Sequence, residues 1–264
     1  MVALISVALV FVNNRLWANV AESDFSSAKQ FMQTIGLQID DVAWTIGRKA
    51  TVRYSSTYGT VNFLPSALNY TVYVNQGSGY QFFASYKVGV LLFNIPVSRF
   101  SLYDGLYELI YPSLVSNLAF TGTSAPVARV FAVEKLTPPM SDGGFIRIVV
   151  APSMRLLFSN TTYASGTSTS YIRLYLPVLV RGSAQGSYQS VTLTGNNVTA
   201  NTKNQVTSVK VTVDFPSETS QQGFDASFFH FPSSYQVIPV PPGYSNSVLE
   251  FYSGEVKVEL GAYS

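Results

Sequence analysis

The sequence predicts an α+β protein, a long N-terminal α-helix followed by an all-β antiparallel, Ig-like sandwich head. Three observations lead there. Residues 1–46 contain no proline and repeat apolar residues at helical spacing. From Thr51 onward the pattern changes to short alternating runs divided by turn residues. No helical periodicity is evident between most of those runs, which argues against βαβ units.

The opening stretch, MVALISVALVFV, is apolar all round except for Ser6, so lipid or protein must surround it. A helix of a dozen residues reaches only about 18 Å, short of the roughly 30 Å of a bilayer core. No Lys or Arg precedes the stretch, and ANVAES puts Asn where a signal-peptide cleavage site wants a small residue. From Ala18 the pattern becomes one-faced. Ala18, Ala21, Phe25, Ala28, Met32, Ile35, Ile39, Val42 and Ile46 fall in steps of three and four, opposite Glu22, Ser26, Lys29, Gln33 and Asp40. Gly36 is the one weak point, at about 1 kcal/mol. The helix reads to Ile46, about 65–70 Å. Gly47 suits a left-handed cap, and Arg48 and Lys49 lie near the negative end of the helix dipole. Asp40 and Asp41 are adjacent and point in different directions, which suits solvation and ion pairing to the head rather than acid–base chemistry.

The strand-like runs are TVRYSS, TVNFL, YTVYV, YQFFASYKVGVLLF, ARVFAVEK, FIRIVVA, YIRLYLPVLVR, SVTLT, QVTSVKVTVDF and EVKVEL. Turns are expected at Tyr58-Gly59, Gly79, Gly143-Gly144, Gly195 and Gly254. SLYDGLYELIYPSLVSNLAF suggests a helical turn or two, and the Pro-rich FPSSYQVIPVPPGYSN a surface loop. No repeat or linker interrupts the β-part, so the expected division is an assembly helix at 1–47 and a head at 48–264.

Composition narrows the chemistry. The chain is 47% hydrophobic and only 11% charged, against about 25% charged in average soluble domains. A surface rich in hydroxyls and amides fits a packed or glycosylated extracellular protein. A net charge of +2 is too small for a nucleic-acid footprint. Cysteine is absent, which removes disulfides, thiolate metal sites and Cys nucleophiles. The single histidine, His230, is crowded by aromatics and reads as structural. Phosphate-loop, zinc-protease, nucleophile-elbow and EF-hand patterns are missing. Asp214 and Glu218 could take calcium, but nothing sets a loop geometry. No cofactor and no enzymatic activity are expected. Three acceptor sequons begin at Asn69, Asn160 and Asn197.

The stretch AESDFSSAKQFMQTIGLQIDDVAWTIGRKATVRYSSTYGTVNF, placed after an apolar helix and before a β-rich region, resembles the archaeal type IV pilins and archaellin-like proteins. The likeness covers about the first 65 residues specifically and the remainder only as a β-rich head. In that family a short basic leader is removed, and the mature chain starts inside the apolar helix. The absence of a basic leader agrees with such a start. Met1 and the short apolar run depart from the family pattern. The resemblance implies a self-assembling extracellular filament subunit, held in the membrane before assembly. Its helix core is expected to be Leu4, Ile5, Ala8, Leu9, Phe11, Val12, Leu16, Trp17, Phe25, Met32, Ile35 and Ile39. The alternative is a membrane-anchored surface module whose tyrosine-rich head binds glycans or protein.

Overall fold

The computed structural model describes residues 2–98, 102, 105–113, 117–135, 144–185 and 189–261. The chain begins with helix α1 (Val2–Ala43), followed by β1 (Lys49–Arg53), β2 (Thr60–Asn75), β3 (Tyr80–Pro96), β4 (Tyr107–Tyr111), β5 (Ala119–Thr121), β6 (Ala128–Lys135), β7 (Phe145–Pro152) and β8 (Met154–Thr162). Then come β9 (Ser168–Gln185), β10 (Ser190–Asn204), β11 (Ser208–Asp214), the single-turn helices α2 (Ser217–Ser220) and α3 (Ala226–Phe229), β12 (Tyr235–Pro239) and β13 (Asn246–Leu260).

The expected class, α+β with a helix followed by an antiparallel Ig-like sandwich, is not what forms. The protein is mostly β, arranged as two curled sheets. Sheet 1 runs β1-β10-β13-β9-β8-β5, and sheet 2 runs β12-β11-β2-β3-β7-β6-β4. Sheet 1 is mixed, because β13 pairs with β9 in parallel and β5 pairs with β8 in parallel. Several strands are two to three times the usual length. Register shifts at Leu64/Leu68, Val72/Tyr73 and Gly195/Asn197 mark bulges, which bend and twist long strands.

Two apolar clusters explain the curl. One lies among the strands and contains Val72, Phe131, Val149, Leu174, Val211 and Phe251. The other joins α1 to both sheets, through Phe25, Met32, Ile35 and Ile39 against Phe93, Val130, Ile148, Leu193 and Val258. β7 serves both: Ile146, Ile148 and Val150 pack with the helix, Val149 and Ala151 with the strands. Burial on two faces is why FIRIVVAP is an apolar run broken only by the buried Arg147, rather than an alternation.

The C-terminal half of α1 is thus an internal element. Gly36, expected to weaken it, is where the helix meets β6: an added Cβ would lie 2.8 Å from Val130 Cγ2. α1 stops at Ala43, three residues before Ile46, because the backbone turns there into β1. Gly47 has φ of 81°, and its N–H donates to the Gly195 carbonyl at 2.8 Å while Gly195 N–H donates to Arg48 O at 2.9 Å. Gly195 and Gly254 are not turns. They sit inside β10 and β13, where a Cβ would come within 2.3 Å of the Thr45 and Ala43 carbonyl oxygens respectively. Glycine is needed there for close approach, not for a left-handed backbone.

Three further expectations change. Tyr107–Tyr111 and Ala119–Thr121 are strands rather than helical turns, and Tyr235–Pro239 is an edge strand rather than loop. The edge position suits its proline, since the outer N–H has no ladder partner to lose. Asp142 and Gly143 of the expected SDGG turn lie outside the described residues.

Candidate assembly surface

α1 divides at Ala21. At about 1.5 Å per residue its 42 residues span roughly 63 Å. On the N-terminal side every described side chain is exposed: Val12 (52%), Leu16 (57%), Ala18, Asn19 and Val20. Leu4, Ile5, Ala8, Leu9, Phe11 and Trp17 lie on the same helical segment, with side chains outside the described set. On the other side, Ala21, Phe25, Ala28, Met32, Ile35, Ile39 and Val42 are buried.

The expected assembly core therefore splits in two. Phe25, Met32, Ile35 and Ile39 are covered by the chain's own strands, so they are unavailable to a neighbouring copy. The stripe was legible in the sequence, but its partner is internal. Phe31 joins it unannounced, its ring 4.9 Å from Tyr54 and 6.2 Å from Phe93. Of the stripe's ends, Ala18 and Ile46 are exposed.

Polar contacts fix the buried half in place. Asp24 Oδ2 accepts from Ser56 Oγ at 2.8 Å, Thr57 N at 2.8 Å and Tyr58 N at 3.1 Å. Lys29 Nζ donates to Glu108 Oε1 at 2.9 Å. Asp40 pairs with Arg155 and accepts from Trp44 Nε1, and Asp41 pairs with Arg48. Asp40 and Asp41 thus bind in different directions, one to β8 and one to the residue after the cap.

The remaining candidates are dispersed. Asn160 and Asn197 are exposed, whereas Asn69 is half-buried and its Oδ1 accepts from Ser85 Oγ at 2.9 Å. Asn69 also lines an open cleft of about 440 Å³ with Lys87, Asp214 and Glu218. The lysine ammonium beside those carboxylates opposes a second cation, and among the described residues no three His, Asp or Glu side chains cluster as metal ligands. His230 takes φ of 47° as the cap of α3, and its ring stacks on Tyr107 at 4.0 Å.

The largest electrostatic perturbation, at Tyr70, is linked to that stack through Arg129. Burial pushes the Tyr70 hydroxyl up to about 12, with the Arg129 charge opposing. Burial also lowers the Arg129 guanidinium from its ordinary value. Arg129 lies 4.6 Å over the Phe231 ring and its Nη2 donates to the His230 carbonyl at 3.3 Å. The set pins the α3 loop onto β6 and contains no carboxylate.

Among the described residues no helix is long and apolar enough to cross a membrane. No family model matches the chain, and no curated protein or solved structure is significantly similar to it.

Proposed function

We propose that this chain is the structural subunit of an extracellular helical filament, polymerising through the apolar segment of α1 before Ala21. The division of α1 carries the reading. One half is buried by the chain itself, and the described apolar side chains of the other half, Val12, Leu16 and Val20, meet water. Apolar exposure is unfavourable by about 25 cal/mol per Å², and parallel copies of the same segment would remove it. A head-to-tail contact that does not close into a ring propagates as an open filament. Before assembly, the segment rests against the membrane.

The surface assigned to assembly is Leu4, Ile5, Ala8, Leu9, Phe11, Val12, Leu16 and Trp17. The strand region faces outward, with Asn160 and Asn197 as its glycan acceptors. The test is electron microscopy of material sheared from the native cells, with mass spectrometry of the same fraction. Filaments containing this chain are expected, and Ala8→Asp or Leu9→Asp is expected to abolish them while the sheets stay folded. Normal filaments from either variant, or wild-type chain retained in the membrane as single copies, would overturn the reading.

A further inference from the structure

Sheet 2 carries a largely apolar row, broken by one lysine, on its solvent face. The inward residues of β2, β11 and β12, namely Val72, Val74, Val209, Val211 and Ile238, already fill the core. A sheet with one solvated face is expected to be polar on it. Instead, the register sets Phe82 opposite Tyr73, Tyr73 opposite Lys210, and Lys210 opposite Val237. These four residues form one line across β3, β2, β11 and β12, about 14 Å long at ~4.8 Å per strand. Phe82 is 65% exposed and Val237 45%.

The flanking rows are hydroxyl-rich. On one side Tyr80 and Ser208 share a hydrogen bond at 3.0 Å. On the other, the exposed Ser85 shares one at 3.1 Å with the buried Thr71, next to Thr212 and the exposed Tyr235. None of these residues is acidic. The one cation, Lys210, lies 5.2 Å over the Tyr235 ring.

We propose that this row is a binding platform for a neutral polysaccharide chain. A stripe one side chain wide falls far short of the roughly 800 Å² per partner of a stable protein interface. With no carboxylate and its lysine already engaged, it offers no charge pattern for an ionic partner. The exposed Phe82 ring, met edge-on by the half-buried Tyr73 at 6.3 Å, lies between hydroxyl-bearing rows and matches a linear sugar, whose C–H face stacks on an aromatic ring while its own hydroxyls bond along the edges. The inference does not rest on filament formation, since no residue of α1 takes part.

The test is binding of the full chain to a printed array of neutral hexose and N-acetylhexosamine oligosaccharides. Affinity electrophoresis then follows, through gels holding the polysaccharide of the best-bound type. Retardation is expected, and Phe82→Ala with Tyr73→Ala should weaken it at least about tenfold, as loss of stacked rings does for other flat ligands. The melting temperature should fall by no more than about 4 °C, because the Tyr73–Phe82 edge contact is worth about 1 kcal/mol. A silent array, or retardation unaffected by the double variant, overturns the proposal. So does a double variant that instead alters sedimentation of the chain, because the row would then contact a second copy.

Discussion

Replacing Gly195 by alanine tests whether the end of α1 is seated on sheet 1. The new methyl carbon would lie 2.3 Å from the Thr45 carbonyl oxygen and 2.6 Å from that of Val42. Both are backbone atoms, so no side-chain rotation relieves the clash. Ordinary contact begins near 3.4 Å, which requires the helix end to retreat by about 1 Å. That movement stretches the paired hydrogen bonds between Gly195 and the Gly47–Arg48 turn. Overpacking costs about 1–3 kcal/mol, and each weakened hydrogen bond adds up to about 1 kcal/mol. A total near 3 kcal/mol corresponds to a melting temperature lower by about 6–12 °C for a chain of this size. Thermal unfolding followed by far-ultraviolet circular dichroism reads it directly. Asn197→Ala, exposed two residues away in the same strand, should stay within about 0.5 kcal/mol. If Gly195→Ala melts within about 2 °C of the parent, the helix end is not held as described.

The two halves of α1 should respond oppositely to truncation. Ile35→Ala is expected to cost about 2–5 kcal/mol in urea unfolding, whereas Leu16→Ala should leave that midpoint unchanged and weaken filaments. Asp24→Ala removes an acceptor of three hydrogen bonds and should cost about 1–3 kcal/mol by the same assay. Tyr70 makes stability fall in alkali. Its hydroxyl ionises from 10.0 when unfolded but only near 12 when folded, so the unfolded state binds fewer protons in that window. Stability intact below about pH 10 is lost progressively towards pH 12, by roughly 2–3 kcal/mol, and urea midpoints of Tyr70→Phe should fall less steeply over that range, burial raising Tyr54, Tyr107 and Tyr111 as well. Intact-mass analysis of protein from native cells should show hexose-bearing forms that shift with Asn160→Gln or Asn197→Gln but not with Asn69→Gln.

What the sequence disclosed followed from how many faces each segment buries. ARVFAVEK coincides with β6, and the alternation of QVTSVKVTVDF, interrupted only by Ser208, contains β11 (Ser208–Asp214). The helix stripe from Ala21 to Val42 was legible because three- and four-residue spacing is unambiguous over that length. Its partner was not legible, since periodicity shows that a face is buried and not by what. β8 was missed because MRLLFSNTT alternates weakly and ends in exposed polar residues. Gly195 and Gly254 were read as turns because a glycine required by a neighbouring backbone looks, in sequence, like one required by its own φ. The Phe82–Tyr73–Lys210–Val237 row was invisible, because it depends on register between four strands and on a bulge at Tyr73.

The parallel pairing of β9 with β13 has a consequence for how the chain reaches this state. β13 lies between β10 and β9, so the middle of sheet 1 stays empty until residue 260 has been synthesised. Until then β9 and β10 each present an unpaired edge, and the Val256 and Val258 contacts with α1 are missing. Closure of the sheet must therefore follow translation of nearly all the residues described, and it joins segments more than seventy positions apart. Such non-local closure is slow, and the open edges invite pairing with other nascent chains. Chaperone dependence during synthesis, rather than marginal final stability, is the vulnerability this topology creates.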